Sequence, residues 1–447
     1  MKLLVLSMNF SPELTGIGKY SGEMVQGLAE RGHELRVICA PPYYPAWKVS
    51  DGHSASRYTV DSPQPGVTVY RCPLWVPAQP KAVRRLLHQA SFVLTSLPVL
   101  LWLALWWRPA VVFAVAPATF CAPGAWLAAR LAGARAWLHV QDLELDAAFK
   151  LGFLKGPQLQ RACTALERGL LRAFDRVTTI SRRMLRQLAC KGVDLPRTGL
   201  LPNWVDLNAV QPLAEAPAAA RLRLSLGIGA QQKVLLFAGT MNRKQGLEVL
   251  VQAAEQLQLR DDIVFVMCGA GEMRASLQAA AAALPNMRFI DLRPAAELGA
   301  LLTMADVHLL PQLRNAADLV LPSKLGGMLA SGRPVVAAAD SGSEIAMIVQ
   351  HCGLRVEPES AAGFVQAITT LCDDRARRLD LGVTARILAE STLGTQAVLD
   401  RLDSDLRALV AGGAGRAFGT RSAAAYRSET VSPVEPAALI STMSSRP

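Results

Sequence analysis

Short apolar runs alternate with helical stretches along most of this chain, and the series occurs twice. The first series runs through "KLLVLSM", "ELRVICA", "VTVYRCPL", "AVVFAVAP", "RAWLHVQDL", "RVTTIS" and "TGLLPN". The second runs through "KVLLFAGT", "DIVFVMCGAG", "NMRFIDL", "DVHLLPQ", "RPVVAAA" and "GLRVEP". A parallel strand is covered on both faces, so it reads as a continuous apolar run rather than an alternating one. Strands of this kind separated by helices specify parallel sheets with helices on both faces. The expected fold is therefore α/β, with two Rossmann-like doubly wound domains facing a central cleft. Residues 1–203 form the first domain and 233–385 the second. Residues 204–232 break the pattern, are rich in Ala and Pro, and read as a linker with one short helical piece. Helices over 386–410 close the fold. Residues 411–447 are small, polar and aperiodic, and read as a disordered tail. Ligands of such sheets bind beyond the carboxyl ends of the strands.

The chain is 51% hydrophobic and 19% charged, enough apolar material for two buried cores. Its formal net charge of +11 suits phosphates or an anionic membrane surface. Nucleic acid is not expected as a partner, because the basic residues form no stripe interleaved with aromatics. Eight cysteines lie far apart with no C-x-x-C, which argues against zinc and for reduced core thiols. The sequence opens directly on a strand without a basic n-region, which points to a cytoplasmic protein. One segment, 84–109, complicates that. Its uncharged centre, Phe92 to Trp107, is shorter than the ~20 residues that span a bilayer. Pro98 interrupts it, arginines flank it, and Trp102, Trp106 and Trp107 crowd one end. It reads as a helix lying in a membrane interface. The other reading is a buried crossover helix of the first domain.

Four strand-to-helix turns carry the chemistry. Gly16 and Gly18 in "SPELTGIGKYSGEM" let backbone approach a ligand at a helix start. The turn does not fit dinucleotide binding, since Ser21 stands where the third glycine belongs. The next strand also ends without the acidic residue that holds a ribose. In "FAGTMNRKQGLEVL", Arg243 and Lys244 sit between glycines just before a helix, an arrangement suited to a diphosphate. "MCGAGEM" repeats the strand–Gly-x-Gly–helix pattern with Gly269, Gly271 and Glu272. In "VLPSKLGGMLASGRPVVAA", Ser323 is a good N-cap and Lys324 lies in the first helical turn. The helix dipole disfavours a cation there, and a bound phosphate resolves the conflict.

Together with "HVQDLELDAAFKLG" and "ADVHLLP", these stretches resemble the retaining glycosyltransferases of the two-Rossmann-domain GT-B architecture, in the group 1/family 4 set. The resemblance covers residues 1 to about 405. It is nearest to the colanic-acid-type, fucosyltransferase-like enzymes of exopolysaccharide assembly. It implies a nucleotide sugar in the second domain and an acceptor in the first. By that implication Gly16 and Gly18 close over the donor diphosphate. Arg243, Lys244, Ser323 and Lys324 hold the diphosphate, and Gly269, Gly271 and Glu272 border the nucleoside. Glu344 falls near the sugar-contacting loop, and His139 and Asp142 stand by the anomeric centre. Asp142 would orient or deprotonate the acceptor hydroxyl, and His139 would hydrogen-bond the donor sugar.

Some family features are absent. Thr240 stands where many relatives have Arg. Gly327 occupies the place of the ribose-binding second Glu of a Glu-x7-Glu pair, with Leu319 or Asp318 near the first. No Asp-x-Asp lies in a catalytic setting, so neither a metal nor a cofactor is expected. The resulting expectation is transfer of a sugar, fucose from GDP-fucose, to a polyprenyl-diphosphate-linked saccharide, with retention, at the cytoplasmic face of the inner membrane. The alternatives are an epimerase-like enzyme of the same architecture and a non-catalytic scaffold of a polysaccharide assembly complex.

Overall fold

The computed structural model describes residues 1–13, 16–78, 82–116, 120–142, 156–314 and 322–412. Each apolar series becomes one sheet. The first has eight strands in the order β3-β4-β2-β1-β5-β6-β7-β8. These are β1 (Lys2–Ser7), β2 (Glu34–Cys39), β3 (Thr59–Gln64), β4 (Val67–Arg71), β5 (Val111–Ala116), β6 (Arg135–Val140), β7 (Arg176–Thr179) and β8 (Thr198–Leu200). The second has six strands in the order β11-β10-β9-β12-β13-β14. These are β9 (Lys233–Ala238), β10 (Ile263–Cys268), β11 (Met287–Ile290), β12 (Val307–Leu310), β13 (Val335–Ala338) and β14 (Gly353–Val356). Apart from β3, which runs antiparallel to β4, every named strand pair is parallel. The two-Rossmann-domain architecture expected from the apolar runs is present.

β3 is an addition to the strands read from the apolar runs, which pass from "ELRVICA" directly to "VTVYRCPL". This edge strand is exposed along almost its whole length, so it carries no apolar run to betray it. Gly66, at φ +79°, makes the turn into β4.

Helix α1 (Gly16–Glu30) covers one face of the first sheet. Helices α2 (Ala82–Trp106), α3 (Ala122–Ala132), α4 (Pro157–Ala173) and α5 (Arg182–Cys190) share one core against the other face. α2 runs unbroken through Pro98. The proline lies on the exposed side, where water can take up the carbonyl it leaves unpaired. One side of α2 sends Phe92, Leu100, Leu103 and Ala104 into the core. The other presents Leu87, Leu94, Trp102, Leu105 and Trp106, with Leu94 73% and Trp106 79% exposed. Trp107 is buried, donating its indole N–H to Glu34 at 3.1 Å.

In the second domain the stretch read as a linker contains a full helix, α6 (Pro212–Ser225). It packs on α9 (Leu298–Thr303), and Val210, Ala219 and Ile228 join the second domain's core. The layer is completed by α7 (Glu248–Gln256), α8 (Arg274–Ala280), α10 (Lys324–Ala330), α11 (Glu344–Cys352), α12 (Ala361–Asp373) and α13 (Arg375–Thr392). The chain then returns to the first domain. In α14 (Thr395–Val410), Val398, Leu399, Leu402 and Leu406 pack against Met24, Val25 and Leu28 of α1. Arg31 pairs with Asp400 and His33 with Asp403 to fix that return. Residues 413–447, the greater part of the expected tail, lie outside the described residues.

Candidate active site

On the first domain, the loop after β1 is tied down by Glu13. Its carboxylate is buried. It accepts the backbone N–H groups of Tyr43 at 3.1 Å and Tyr44 at 3.0 Å, and the Asn9 amide at 3.0 Å. Burial raises its pKa, and these hydrogen bonds with the nearby Arg71 work in the opposite direction. Arg71 reaches from β4 to the Ser11 carbonyl at 2.9 Å. Gly18 lies against this carboxylate, and a Cβ there would stand 2.5 Å from Glu13 Oε2. The glycine is therefore required by a neighbouring side chain. Sequence reasoning passed over Glu13, Asn9 and Arg71. The one available signal was an acidic residue five positions before a glycine at a helix start. Gly16 opens α1 at φ +61°.

His139 and Asp142 stand at the carboxyl end of β6. His139 is 4% exposed, with Nδ1 3.1 Å from Thr178 Oγ1. Trp137 Nε1 donates to the same hydroxyl at 2.9 Å. Burial pushes the imidazole down to about 3, against a raising effect of the Thr178 backbone, so the ring is neutral at physiological pH. A neutral imidazole can hydrogen-bond but supplies no proton near pH 7. Asp142 follows β6 and is half-buried, and Gln141 beside it is buried. Residues 143–155 of the same motif lie outside the described residues.

On the second domain, the loops after β9 and β10 lock together. Met241 donates its N–H to the Ala270 carbonyl at 2.8 Å, and Met273 donates to that of Met241 at 3.0 Å. A Cβ on Gly269 would collide with the Gly239 carbonyl, and one on Gly271 with that of Met241. These glycines allow two loops to touch backbone to backbone. Arg243 is exposed and its backbone N–H donates to Glu272 at 3.3 Å. Lys244 lies in the short 3-10 turn Arg243–Gln245, and its side chain is outside the described residues.

Lys324 is the central charge of this half. Its ammonium sits 4.1 Å from the ring centroid of Phe237 on β9 and donates to Gln245 Oε1 at 2.6 Å. It also passes within 3.5 Å of where a Gly239 Cβ would be. No carboxylate pairs with it among the described residues. Desolvation pushes its pKa down to about 7. The contact with Gln245 puts this ammonium beside the turn that carries Lys244. Ser323, expected as an N-cap, is itself helical in backbone and makes no capping hydrogen bond. A side chain at Gly327, the position of the missing Glu, would press on Leu302 of α9. Orphaned acceptors occur in the same region, at Asn242 Oδ1 and Gln312 Oε1.

Glu344 connects the two halves. Its carboxylate accepts the backbone N–H groups of Arg182 at 2.9 Å and Arg183 at 3.1 Å, at the N-terminus of α5. That position favours a carboxylate electrostatically. Ser181 caps α5 by accepting from Met184, and Ser343 caps α11 by accepting from Ala346. Two capped helix starts thus face each other, with one carboxylate between them.

The chain matches family models in both halves: a glycosyl transferase 4-like domain over residues 15–204, and glycosyl transferases group 1 over residues 232–374. A protein of Escherichia coli K12, WcaI, described as a colanic acid biosynthesis glycosyl transferase, is 42% identical over 91% of this chain and 100% of its own length. Among solved structures, a sucrose-phosphate synthase from Thermosynechococcus elongatus superposes with TM-score 0.71 at 17% identity, over 92% of this chain and 99% of the other. The Anabaena protein HepE in complex with UDP-glucose gives 0.62 at 16% identity, over 91% and 100%. The structural neighbours carry the fold, and the full-length relative with the two paired domain matches carries the family: the chain is a glycosyltransferase of the GT-B architecture, with a glycosyl transferase 4-like domain followed by a group 1 domain.

Proposed function

We propose that this enzyme transfers fucose from GDP-fucose to a polyprenyl-diphosphate-linked saccharide in exopolysaccharide assembly of the colanic acid type, with retention and without a metal. One observation carries the donor half of this reading. The Lys324 ammonium is desolvated at the carboxyl end of β9, and among the described residues its hydrogen-bond partner is a neutral amide. Lys324 is half-buried, and a cation partly withdrawn from water without a counter-charge is stabilised when an anion completes it. A nucleotide diphosphate supplies that anion. Lys324, with Lys244, Arg243 and Ser323 nearby, neutralises the leaving diphosphate in a water-poor cleft. Gly16 and Gly18 bring the first-domain loop towards it. Gly269, Gly271 and Glu272 border the nucleoside, and Glu344 the sugar. Asp142 orients the acceptor hydroxyl, and His139, held neutral, acts by hydrogen bonding alone. The lengthwise relationship to the E. coli protein supports the pathway assignment.

Association with the cytoplasmic face of the inner membrane is part of this reading. Arg84–Trp106 is long and apolar enough to cross a membrane, with mean hydropathy 1.6, and one third of it is buried in the protein. A span would pull Phe92, Leu100 and Leu103 out of the core, whereas an interfacial helix needs only the exposed stripe.

The test is a thermal-shift screen of GDP, UDP, ADP and TDP, followed by an anomer-resolved transfer assay. Selective stabilisation by GDP is expected, since a ligand of the folded state raises its melting temperature by mass action. Stabilisation by none of the four sinks the donor reading and favours a scaffold. Stabilisation by another nucleotide replaces GDP-fucose as the donor.

A further inference from the structure

Helix α13 of the second domain is apolar on both sides. Its inner face, with Arg378, Gly382, Ala385 and Ala389, is buried, and the helix packs on α10 and α11. Gly382 seats it closely, since a Cβ there would stand 2.4 Å from the Gly332 carbonyl oxygen. The outer face carries Leu379, Val383 and Ile387, which are 45%, 60% and 48% exposed. A spacing of four residues stacks them into one ridge along the helix. The other exposed large apolar residues described in the second domain, Leu224, Leu259, Leu292 and Leu298, each lie on a different segment. The charges of α13 follow the same line. Arg375 and Arg377 stand in the first turn, where the helix dipole disfavours cations. Glu390 stands in the last turn, where it disfavours anions. Asp380 and Arg386 flank Val383 on either side along the helix. Arg386 is held in place, donating to Glu390 at 2.6 Å and to the carbonyls of Val210 and Ala330 at 2.6 Å each.

We infer that the outer face of α13 is the interface of a weak homodimer, packed antiparallel against α13 of a second copy. A two-fold axis through Val383 sets each residue before it against the residue equally far after it in the other copy. At about 100° per residue, such pairs also fall on the same side of the helix contact. Val383 then meets Val383, and Leu379 meets Ile387. Asp380 meets Arg386. Glu390 lands on the small Ala376, beside Arg375. No like charges face each other, and the two helix dipoles oppose, so the misplaced end charges of one copy are compensated by the other. An unrelated partner has no need of this internal symmetry, whereas a second copy requires it. The carboxylates and the lack of Trp or Tyr along α13 argue against lipid as the occupant. One helix face is smaller than the ~800 Å² per partner of a standard interface, so the association is weak. Gly332 immediately precedes Arg333 and β13, so its contact with Gly382 puts the middle of α13 near the amino end of that strand. Ligands of such sheets bind at the opposite, carboxyl end, and both clefts stay open in the dimer. The inference does not depend on the identity of donor or acceptor.

The experiment is sedimentation velocity of the full-length protein over about 1–100 µM, the range in which a weak dimer forms. The wild type is expected to pass from monomer to dimer across it. Val383→Asp sets two carboxylates face to face on the axis and is expected to weaken the dimer at least about tenfold. Asp380→Arg faces Arg386 with a like charge and is expected to weaken it about threefold, less so in high salt. Both positions are exposed, so circular dichroism and melting temperature of the monomer should not change. A second measurement places the axis. In a Cys190→Ser background, Val383→Cys should form a disulfide-linked dimer under copper phenanthroline, because its Cβ faces its twin. Leu259→Cys, at a site 96% exposed elsewhere on the domain, should stay at background. A wild type that is monomeric throughout overturns the inference. So does a dimer that survives Val383→Asp or is not weakened by Asp380→Arg, since its contact then lies elsewhere. Mass growing past the dimer, or equal crosslinking at the two cysteines, rules out the two-fold contact as well.

Discussion

The two sides of the cleft handle a charge withdrawn from water, buried at Glu13 and half-buried at Lys324, in opposite ways. On the first domain, Glu13 is surrounded by three donors from the chain itself, with Arg71 close by. On the second, Lys324 has, among the described residues, one neutral acceptor and an aromatic face. The first charge is satisfied by the fold and holds loops together. The second has no counter-charge among the described residues. A buried ion that the protein does not neutralise is a place where a ligand contributes to stability, so the difference separates a structural charge from a binding one.

The largest expected effect comes from removing the incomplete charge. An unfolded lysine keeps its proton to about pH 10.5, whereas Lys324 in the fold loses it near 7, which costs the folded state roughly 4 kcal/mol at neutral pH. Lys324→Met is therefore expected to raise the melting temperature of the free enzyme while abolishing stabilisation by GDP. A variant that is both less stable and still stabilised by the nucleotide would erase the contrast with Glu13.

The complementary change should act the other way. Glu13→Ala orphans two backbone N–H groups and the Asn9 amide. It is expected to cost on the order of 3 kcal/mol in urea unfolding, with GDP stabilisation surviving in the folded fraction. Glu13→Gln should cost less, since the amide keeps one acceptor oxygen.

A smaller effect links the site to pH. Between pH 7 and 10.5 the folded state binds fewer protons at Lys324 than the unfolded chain does, so this residue's contribution makes stability rise with pH over that window. An anion at Lys324 raises its pKa again, and binding must then take up a proton. Titration calorimetry at pH 8 in buffers of different ionisation enthalpy should show uptake approaching one proton per nucleotide, absent in Lys324→Met. Affinity should weaken as pH rises from 7 towards 10. A binding constant flat over that range would mean that the diphosphate sits elsewhere.

The smallest effect is expected at the bridge between the halves. Glu344→Gln keeps one acceptor oxygen for the N–H groups of Arg182 and Arg183, loses the other, and removes the charge–dipole interaction, worth about 0.3–1 kcal/mol. Small-angle scattering of the free enzyme should show a modest shift towards an open cleft. An unchanged profile would mean that α14, and not this carboxylate, holds the domains together.

How much could be read in advance differed by region for physical reasons. β9 and β10 announce themselves because a strand covered on both faces must be apolar at every position. β3 does not, because an exposed edge strand has no face to bury. The glycines of "GAG" were legible as residues needing unusual backbone, but their partner was not. Packing against the loop after β9 depends on a neighbouring strand thirty residues earlier. Glu13 carries no local signal of its role, because its partners Tyr43 and Tyr44 lie about thirty residues away. α2 is apolar on every side, so periodicity could not say which face was covered.

The sequence by itself determined the architecture, the family and the basic character of the protein. Each of these follows from local patterns or composition, which survive unfolding. Only the tertiary structure decided which charges are satisfied. It closed three donors on Glu13, set Lys324 against Gln245 and Phe237, and turned Glu344 to the far domain. Those outcomes depend on distances between residues far apart in the chain, and burial fixes them only when the two sheets and the returning helix α14 are in place.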